Sequence, residues 1–218
     1  MAVIYDRVAL IGLGLIASSM GHAMKKWGLA GSIAGYAKTE ATRGAALELG
    51  FCDDVFVTAG EAVQGADLVI LAVPVGAMAQ VSKEIRHHLK PGATVTDVGS
   101  VKQAVVEAVG PHIPEGVDFV PGHPLAGTEH SGPRSGFATL FKNRFTLLTP
   151  GDARPEAVAR LRAFWEGMGA LVEEMEPDHH DLVLAVTSHT PHLIAYTMVG
   201  VADHLRRVTE SEVIKYSA

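Results

Sequence analysis

A doubly wound α/β fold with a parallel sheet is the architecture this sequence predicts, and three features predict it. Short, near-continuously apolar runs alternate with longer helical stretches, as buried parallel strands and their crossover helices do. The first run, Arg7 to Ile11, leads straight into Gly12-Leu13-Gly14-Leu15-Ile16-Ala17, a glycine turn that opens a helix. Glycine, proline and reactive side chains also gather where successive strands end, at Gly12-Gly14, Val73-Pro74, Gly99-Ser100 and Gly122-His123. Ligands of open α/β sheets bind at the carboxyl ends of strands, so these ends are expected to form one site.

The elements follow in order. After the first strand and its helix, Ser32 to Tyr36 reads as the second strand, and Thr39 to Leu49 as a helix stopped by Gly50. A short strand near Val55 to Val57 precedes Ala66 to Pro74, the clearest buried strand in the chain. Val75 to Leu89 is helical and ends before Pro91-Gly92; Ala93 to Val98 is a strand, and Ser100 is a natural N-cap for the next helix. Val117 to Val120 reads as a strand end, Arg144 to Pro150 as a strand, Pro155 to Met168 as a helix with proline in its first turn, and Ala170 to Met175 as a strand. A last helical region starts near Glu176-Pro177-Asp178 and runs to about Arg207, with a break at Pro191. The predicted division is therefore a dinucleotide-binding domain over 1–176 and a helical domain over 177–218.

Bulk properties narrow the function. The chain has 218 residues, 48% of them hydrophobic, enough for a substantial core. A formal net charge of −6 leaves no basic surplus to neutralise phosphates, so nucleic acid is not the expected partner. A single cysteine, Cys52, cannot form an internal disulfide, and the N-terminus lacks the pattern of a signal peptide; both fit a reducing cytoplasm. Leu182 to Val186 and Leu193 to Ala202 are apolar, but Thr187 to His192 separates them and neither piece alone has the length of a bilayer span, so no membrane is expected.

The site residues are chosen by chemistry. Gly12 permits a tight turn, Gly14 lets a pyrophosphate approach the backbone, and Ala17 stands where a third glycine would let helix and strand pack. Gly12, Gly14, Leu15, Ile16, Val73, Pro74 and Ser100 are thus the expected cofactor contacts. After the second strand, Ala37-Lys38-Thr39 carries no acid to grip a ribose 2′-hydroxyl; Lys38 and Thr39 can hold a 2′-phosphate, although Lys38 also suits a solvated loop. NAD and NADP both remain open. His123, bracketed by Pro121 and Pro124 and flanked by glycines, is held on a stiff turn and aimed rather than left to swing. His189 and His192 share one helical face, with Tyr196 a turn later. From Leu193 to Val201 the last helix is apolar almost all round, as a helix buried against another subunit would be.

Taken together these motifs resemble the prephenate/arogenate dehydrogenase family of tyrosine biosynthesis. The resemblance rests on Gly12-x-Gly14-x-x-Ala17, Asp97-Val98-Gly99-Ser100-Val101-Lys102, Gly122-His123-Pro124-Leu125-Ala126-Gly127 and Ser188-His189-Thr190-Pro191-His192. It covers nearly the whole chain; the first motif is widespread, and the other three in this order are specific. It implies an oxidoreductase that removes hydride and carbon dioxide from prephenate or arogenate with NAD or NADP, working as a homodimer. His123 would take the hydroxyl proton, Ser100 would bond near hydroxyl and nicotinamide, and His189 and His192 would face the substrate. It also implies a longer helical domain than the chain carries after Arg207, including an arginine for a substrate carboxylate. Arg134, Arg144, Arg206 and Arg207 are the basic substitutes to consider, and a raised KM is expected.

Other classes compete. A non-catalytic dinucleotide-binding module would keep the glycine turn but has no use for His123 and Ser100. A metal hydrolase would need a ligand set that adjacent His179 and His180 do not supply, so no metal is expected. A related dehydrogenase acting on another small hydroxy acid would use a lysine base in place of the proline-bracketed histidine.

Overall fold

The computed structural model describes residues 2–209 and divides into two compact units, Met1–Pro177 and Asp178–Ala218. The first unit begins with β1 (Tyr5–Ile11), α1 (Leu15–Trp27), β2 (Ala30–Tyr36), α2 (Glu40–Glu48) and β3 (Asp54–Phe56). Next come α3 (Ala59–Val63), β4 (Leu68–Leu71), α4 (Val75–Ile85), β5 (Thr94–Asp97), α5 (Gln103–Val109) and β6 (Asp118–Phe119). The six strands form one parallel sheet in the order β3-β2-β1-β4-β5-β6. Strand order reverses between β1 and β4, which makes their carboxyl ends the switch point where such sheets bind ligands.

Alternation along the strands explains the layers. Val8 and Leu10 of β1, with Leu68 and Ile70 of β4, point into one core with Met20, Met24, Phe164 and Trp165. Ala9 and Ile11, with Val69 and Leu71, point to the other face against Met78, Val95 and Val105. Small residues on α1 (Ala17, Ser18, Ser19, Gly21, Ala23) are buried, so that helix lies close on the sheet. Cys52 is buried and free, and burial pushes its thiol up to about 12, so it does not ionise at neutral pH.

A second sheet follows, formed by β7 (Gly122–Pro124), β8 (Phe145–Leu148) and β9 (Leu171–Glu174), with α6 (Pro155–Gly167) between the last two. β7 pairs antiparallel with β8 and β8 parallel with β9. This corrects the expectation that His123 sits on a stiff turn: it is the middle residue of β7, opposite Leu147.

Two further boundaries differ from the sequence reading. α5 starts at Gln103, and Ser100 is not its cap, because the Asp97 carboxylate binds the Gly99 N–H at 2.7 Å and Lys102 turns inward to Asp97. Those bonds hold residues 98–102 out of the helix. Helix α3 is too short to show periodicity; its signal is the capping box formed by Thr58 and Glu61.

The second unit contains most of α7 (Pro177–Leu184), then a widened π-helical turn at Ala185–His189 and α8 (Thr190–Thr209). Pro191 does not break the helix. The wider turn, in which Thr190 N–H bonds to Ala185 O, takes up the proline ring that would crowd a regular turn. Residues 177–207 thus form one helix of 31 residues, long and apolar enough by length and composition to cross a membrane. The two apolar pieces, expected to be separated by a break, are therefore parts of one continuous helix. Leu193, Ile194, Tyr196, Met198, Val199 and Val201 on α8 are all at least 60% exposed within the single chain. The rest of the predicted helical domain, 210–218, lies outside the described residues.

Candidate active site

The site begins with register. Ile11 is paired with Tyr36 and with Leu71, and Leu71 with Asp97, so four strands, β2, β1, β4 and β5, end level. Gly12, Ala72 and Val98 follow those ends, tied by Gly12 N to Tyr36 O (2.8 Å), Ala72 N to Ile11 O (2.7 Å) and Val98 N to Leu71 O (3.3 Å). They open into a cleft of about 550 Å3 lined by six of the expected cofactor contacts, Gly12, Gly14, Leu15, Ile16, Val73 and Pro74. Leu13, Ala17, Thr42, Gly132 and Pro133 also line it. The last two were not foreseen, since a polar loop of glycine and proline carries no periodic signal. That loop is held on α1 by Phe137 N to Ser19 Oγ at 3.2 Å.

The cleft suits a diphosphate. Gly14 caps α1 with no side-chain bond, the first turn of α1 contains no acid, and a Cβ placed on Gly14 would meet no heavy atom within 4 Å. Open N–H groups at the positive end of a helix, beside free space, form an anion cradle.

Lys38, Thr39 and Ser100 are not among the residues lining this cleft. Thr39 caps α2, its hydroxyl accepting from Thr42 N at 3.3 Å and lying 2.8 Å from Thr42 Oγ1. Lys38 is exposed. Arg43, overlooked in the sequence because it lies in a helix, folds back over the turn and donates to Ala37 O at 2.7 Å and Lys38 O at 3.2 Å. A second cation thus stands at the end of β2, next to cleft-lining Thr42.

His123 is buried, 8% exposed. Its predecessor Gly122 donates its N–H to Asp97 Oδ1 at 3.1 Å, and Asp97 directly precedes Val98 of the cleft wall. Ser100 is exposed on the loop between Gly99 and Lys102. In the helical unit, His189 ends the π-helical turn and His192 lies in the first turn of α8. His192 Nδ1 is 2.8 Å from Ser188 O; a carbonyl only accepts, so Nδ1 is the donor. His180 is fully buried, with its Nδ1 2.8 Å from Asp181 Oδ1.

Of the arginines considered for a carboxylate, Arg134 pairs with Glu48 and Arg206 and Arg207 with Asp203. Arg144 has no carboxylate partner among the described residues. With Lys142 it lines a polar pocket of about 440 Å3 that also includes Leu125 to Thr128, just after His123. Among the described residues no group of three or more His, Cys, Asp or Glu is arranged to hold a metal ion.

Comparison with known proteins matches residues 20–174 to the family described as prephenate dehydrogenase, nucleotide-binding domain, and residues 176–218 to prephenate dehydrogenase, dimerization domain. A cyclohexadienyl dehydrogenase of Zymomonas mobilis is 39% identical over 216 residues, covering 99% of this chain and 73% of the relative. A prephenate dehydrogenase of Bacillus subtilis is 37% identical over 201 residues, covering 91% of this chain and 54% of that protein. Among solved structures, Aquifex aeolicus prephenate dehydrogenase in complex with hydroxyphenyl propionate and NAD+ superposes with a TM-score of 0.84 at 31% identity, over 91% of this chain and 70% of that one. Synechocystis arogenate dehydrogenase superposes with a TM-score of 0.80 at 27% identity, over 94% of this chain and 75% of that one.

Proposed function

The chain belongs to the prephenate dehydrogenase family, and on that premise we propose that it oxidatively decarboxylates prephenate, arogenate or both with a nicotinamide dinucleotide. The substrate is a cyclohexadienol with a ring carboxylate opposite its hydroxyl; it loses a hydride, a proton and carbon dioxide as the ring becomes aromatic. A bound NAD or NADP supplies the hydride acceptor. The chain supplies the rest. Gly12, Gly14 and the first turn of α1 hold the diphosphate, while Val73 and Pro74 wall the opposite side of the cleft. His123 takes the hydroxyl proton, a role typically worth ~10²–10⁴-fold in rate. Ser100 hydrogen-bonds near the hydroxyl, and His189 and His192 contact substrate from the helical domain.

The observation that carries this reading is the setting of His123. It is buried on a short strand, one residue past Gly122, which bonds to the residue preceding the cofactor cleft. A module that only bound dinucleotide would have no need of an imidazole there.

The β2–α2 turn favours acceptance of NADP at least as readily as NAD, because it carries Lys38 and Arg43 and no acid. Arg144 and Lys142 are the basic groups we assign to a substrate carboxylate on the dinucleotide-binding side. The exposed apolar face of α8 we assign to a second copy of the chain, giving a homodimer, in keeping with the dimerization-domain match. The reading therefore needs neither a membrane nor nucleic acid, and a cytoplasmic setting fits it.

Steady-state assays that cross prephenate and arogenate with NAD and NADP, followed by nicotinamide absorbance, test the proposal. Turnover of at least one pair is expected. Dinucleotide binding without turnover of any pair would favour the non-catalytic module.

A further inference from the structure

Asp97 and Lys102 form an ion pair whose side chains are both 0% exposed. A lysine without exposure is rare, and its charge is tolerated only when paired and hydrogen-bonded. Lys102 Nζ donates to Asp97 Oδ2 at 2.5 Å and to the Gly122 carbonyl at 2.6 Å. Asp97 Oδ2 also accepts from Gly99 N at 2.7 Å, and Oδ1 from Gly122 N at 3.1 Å. Burial pushes the Asp97 carboxyl up, and Lys102 with the two N–H donors pulls the other way.

The destinations of these bonds matter more than their number. Both polar backbone groups of Gly122, the residue before His123, are held by the pair. The loop that carries Ser100 is fastened at both ends, at Gly99 by its N–H and at Lys102 by its side chain. The fit around Gly122 is close: a Cβ there would lie 3.0 Å from Asp97 O and 3.3 Å from Thr96 Oγ1. Apolar residues of similar volume would serve core stability at least as well as a buried ion pair. They could not supply directional bonds that lock β5, the Ser100 loop and β7 together.

We infer that Asp97 and Lys102 are positioning residues, which fix the backbone of His123 and of Ser100 in one arrangement for removal of the substrate proton. The inference rests on the reading of His123 as proton acceptor. It deepens that reading by assigning a task to a pair that the proposed chemistry does not otherwise use.

The test uses the full chain with isotopically labelled histidine rings, His123 being identified by the signal lost in His123→Asn. Two variants perturb the clamp differently. The double variant Asp97→Asn/Lys102→Met removes both charges at similar volume, and Gly122→Ala leaves the pair charged but presses a methyl group against Asp97. In each variant that keeps a cooperative thermal transition, the His123 ring signals and titration midpoint are expected to move while other histidines outside the clamp keep theirs. Dinucleotide affinity should hold within about threefold and kcat should fall ~10-fold or more, since misplacement by about 1 Å can cost ~10²-fold. Unchanged His123 signals and midpoint in a folded variant would overturn the inference, whatever happens to kcat. Should the double variant not fold, Gly122→Ala decides. If the parent chain turns over neither substrate, the proposed activity fails, yet the ring signals still report whether the clamp sets His123.

Discussion

Gly12 lies so close against Ala72 that a Cβ on it would stand 2.6 Å from the Ala72 carbonyl oxygen, and its φ is +97°. The first glycine of the turn is therefore required twice, by conformation and by contact with the end of β4. We expect Gly12→Ala to destabilise the chain by about 1–3 kcal/mol and to weaken dinucleotide binding at least ~10-fold, about 1.4 kcal/mol. Thermal unfolding and a fluorescence titration check both; a variant of parental stability and affinity would show that the turn tolerates what the contact forbids.

Asp118 and Arg154 anchor the start of α6 to β6. The Arg154 side chain donates to the carboxylate from Nε and from Nη2 (2.6 Å), and its backbone N–H adds a third donor group at 3.0 Å. Hydrogen bonding by Arg154 holds the Asp118 carboxyl below its usual range, against a smaller effect of burial. A depressed folded-state pKa means stability that is present above the unfolded-state value and is lost as pH falls through the folded one. Arg154→Leu should therefore be less stable than the parent at neutral pH, with the difference closing as pH drops through the carboxylate range. Denaturant midpoints measured across that range check the sign; a constant difference would assign the effect to packing instead.

Much of this fold was legible in the sequence because its signals are local. Apolar runs located β1, β2, β4 and β5, and the glycine turn together with the end of β4 located the cleft and six of its lining residues. The rest depended on contacts between distant residues. Ser100 resembles a helix cap, but the bonds of Asp97 to Gly99 N–H and to the Lys102 side chain hold its loop, and α5 starts two residues later than a cap at Ser100 would set it. His123 resembles a turn residue, but pairing with β8, more than twenty positions away, makes it part of a strand. Pro191 resembles a break, yet one widened turn absorbs it. Arg43 lay hidden in α2 because only the folded turn brings it back over Ala37 and Lys38.

For cofactor choice, kcat/KM with NADP and with NAD should diverge in Arg43→Ala and Lys38→Ala. Loss of a charge-assisted contact to a 2′-phosphate is expected to lower the NADP value ~10-fold or more, with NAD changed less than about threefold. A strong NAD preference untouched by either substitution would end the assignment of this turn to a 2′-phosphate.

The uncovered face of α8 makes its own prediction. At roughly 25 cal/mol per Å2 of apolar surface, its large side chains favour association. The chain should sediment as a dimer, and Ile194→Glu with Val201→Glu should shift it to monomer while dinucleotide binding is retained. A monomeric parent would contradict the homodimer, and recovery of the parent only with detergent or lipid would point to a membrane surface.

The central claim is that His123 removes the substrate proton, and its most direct test is kcat for His123→Asn beside the parent, with dinucleotide affinity measured on the same preparations. The account predicts a fall of ~10²–10⁴-fold in kcat, affinity within about threefold, and loss of the ionisation through which the parental rate rises with pH. Near-parental turnover in the asparagine variant, or an unchanged pH profile, would contradict it.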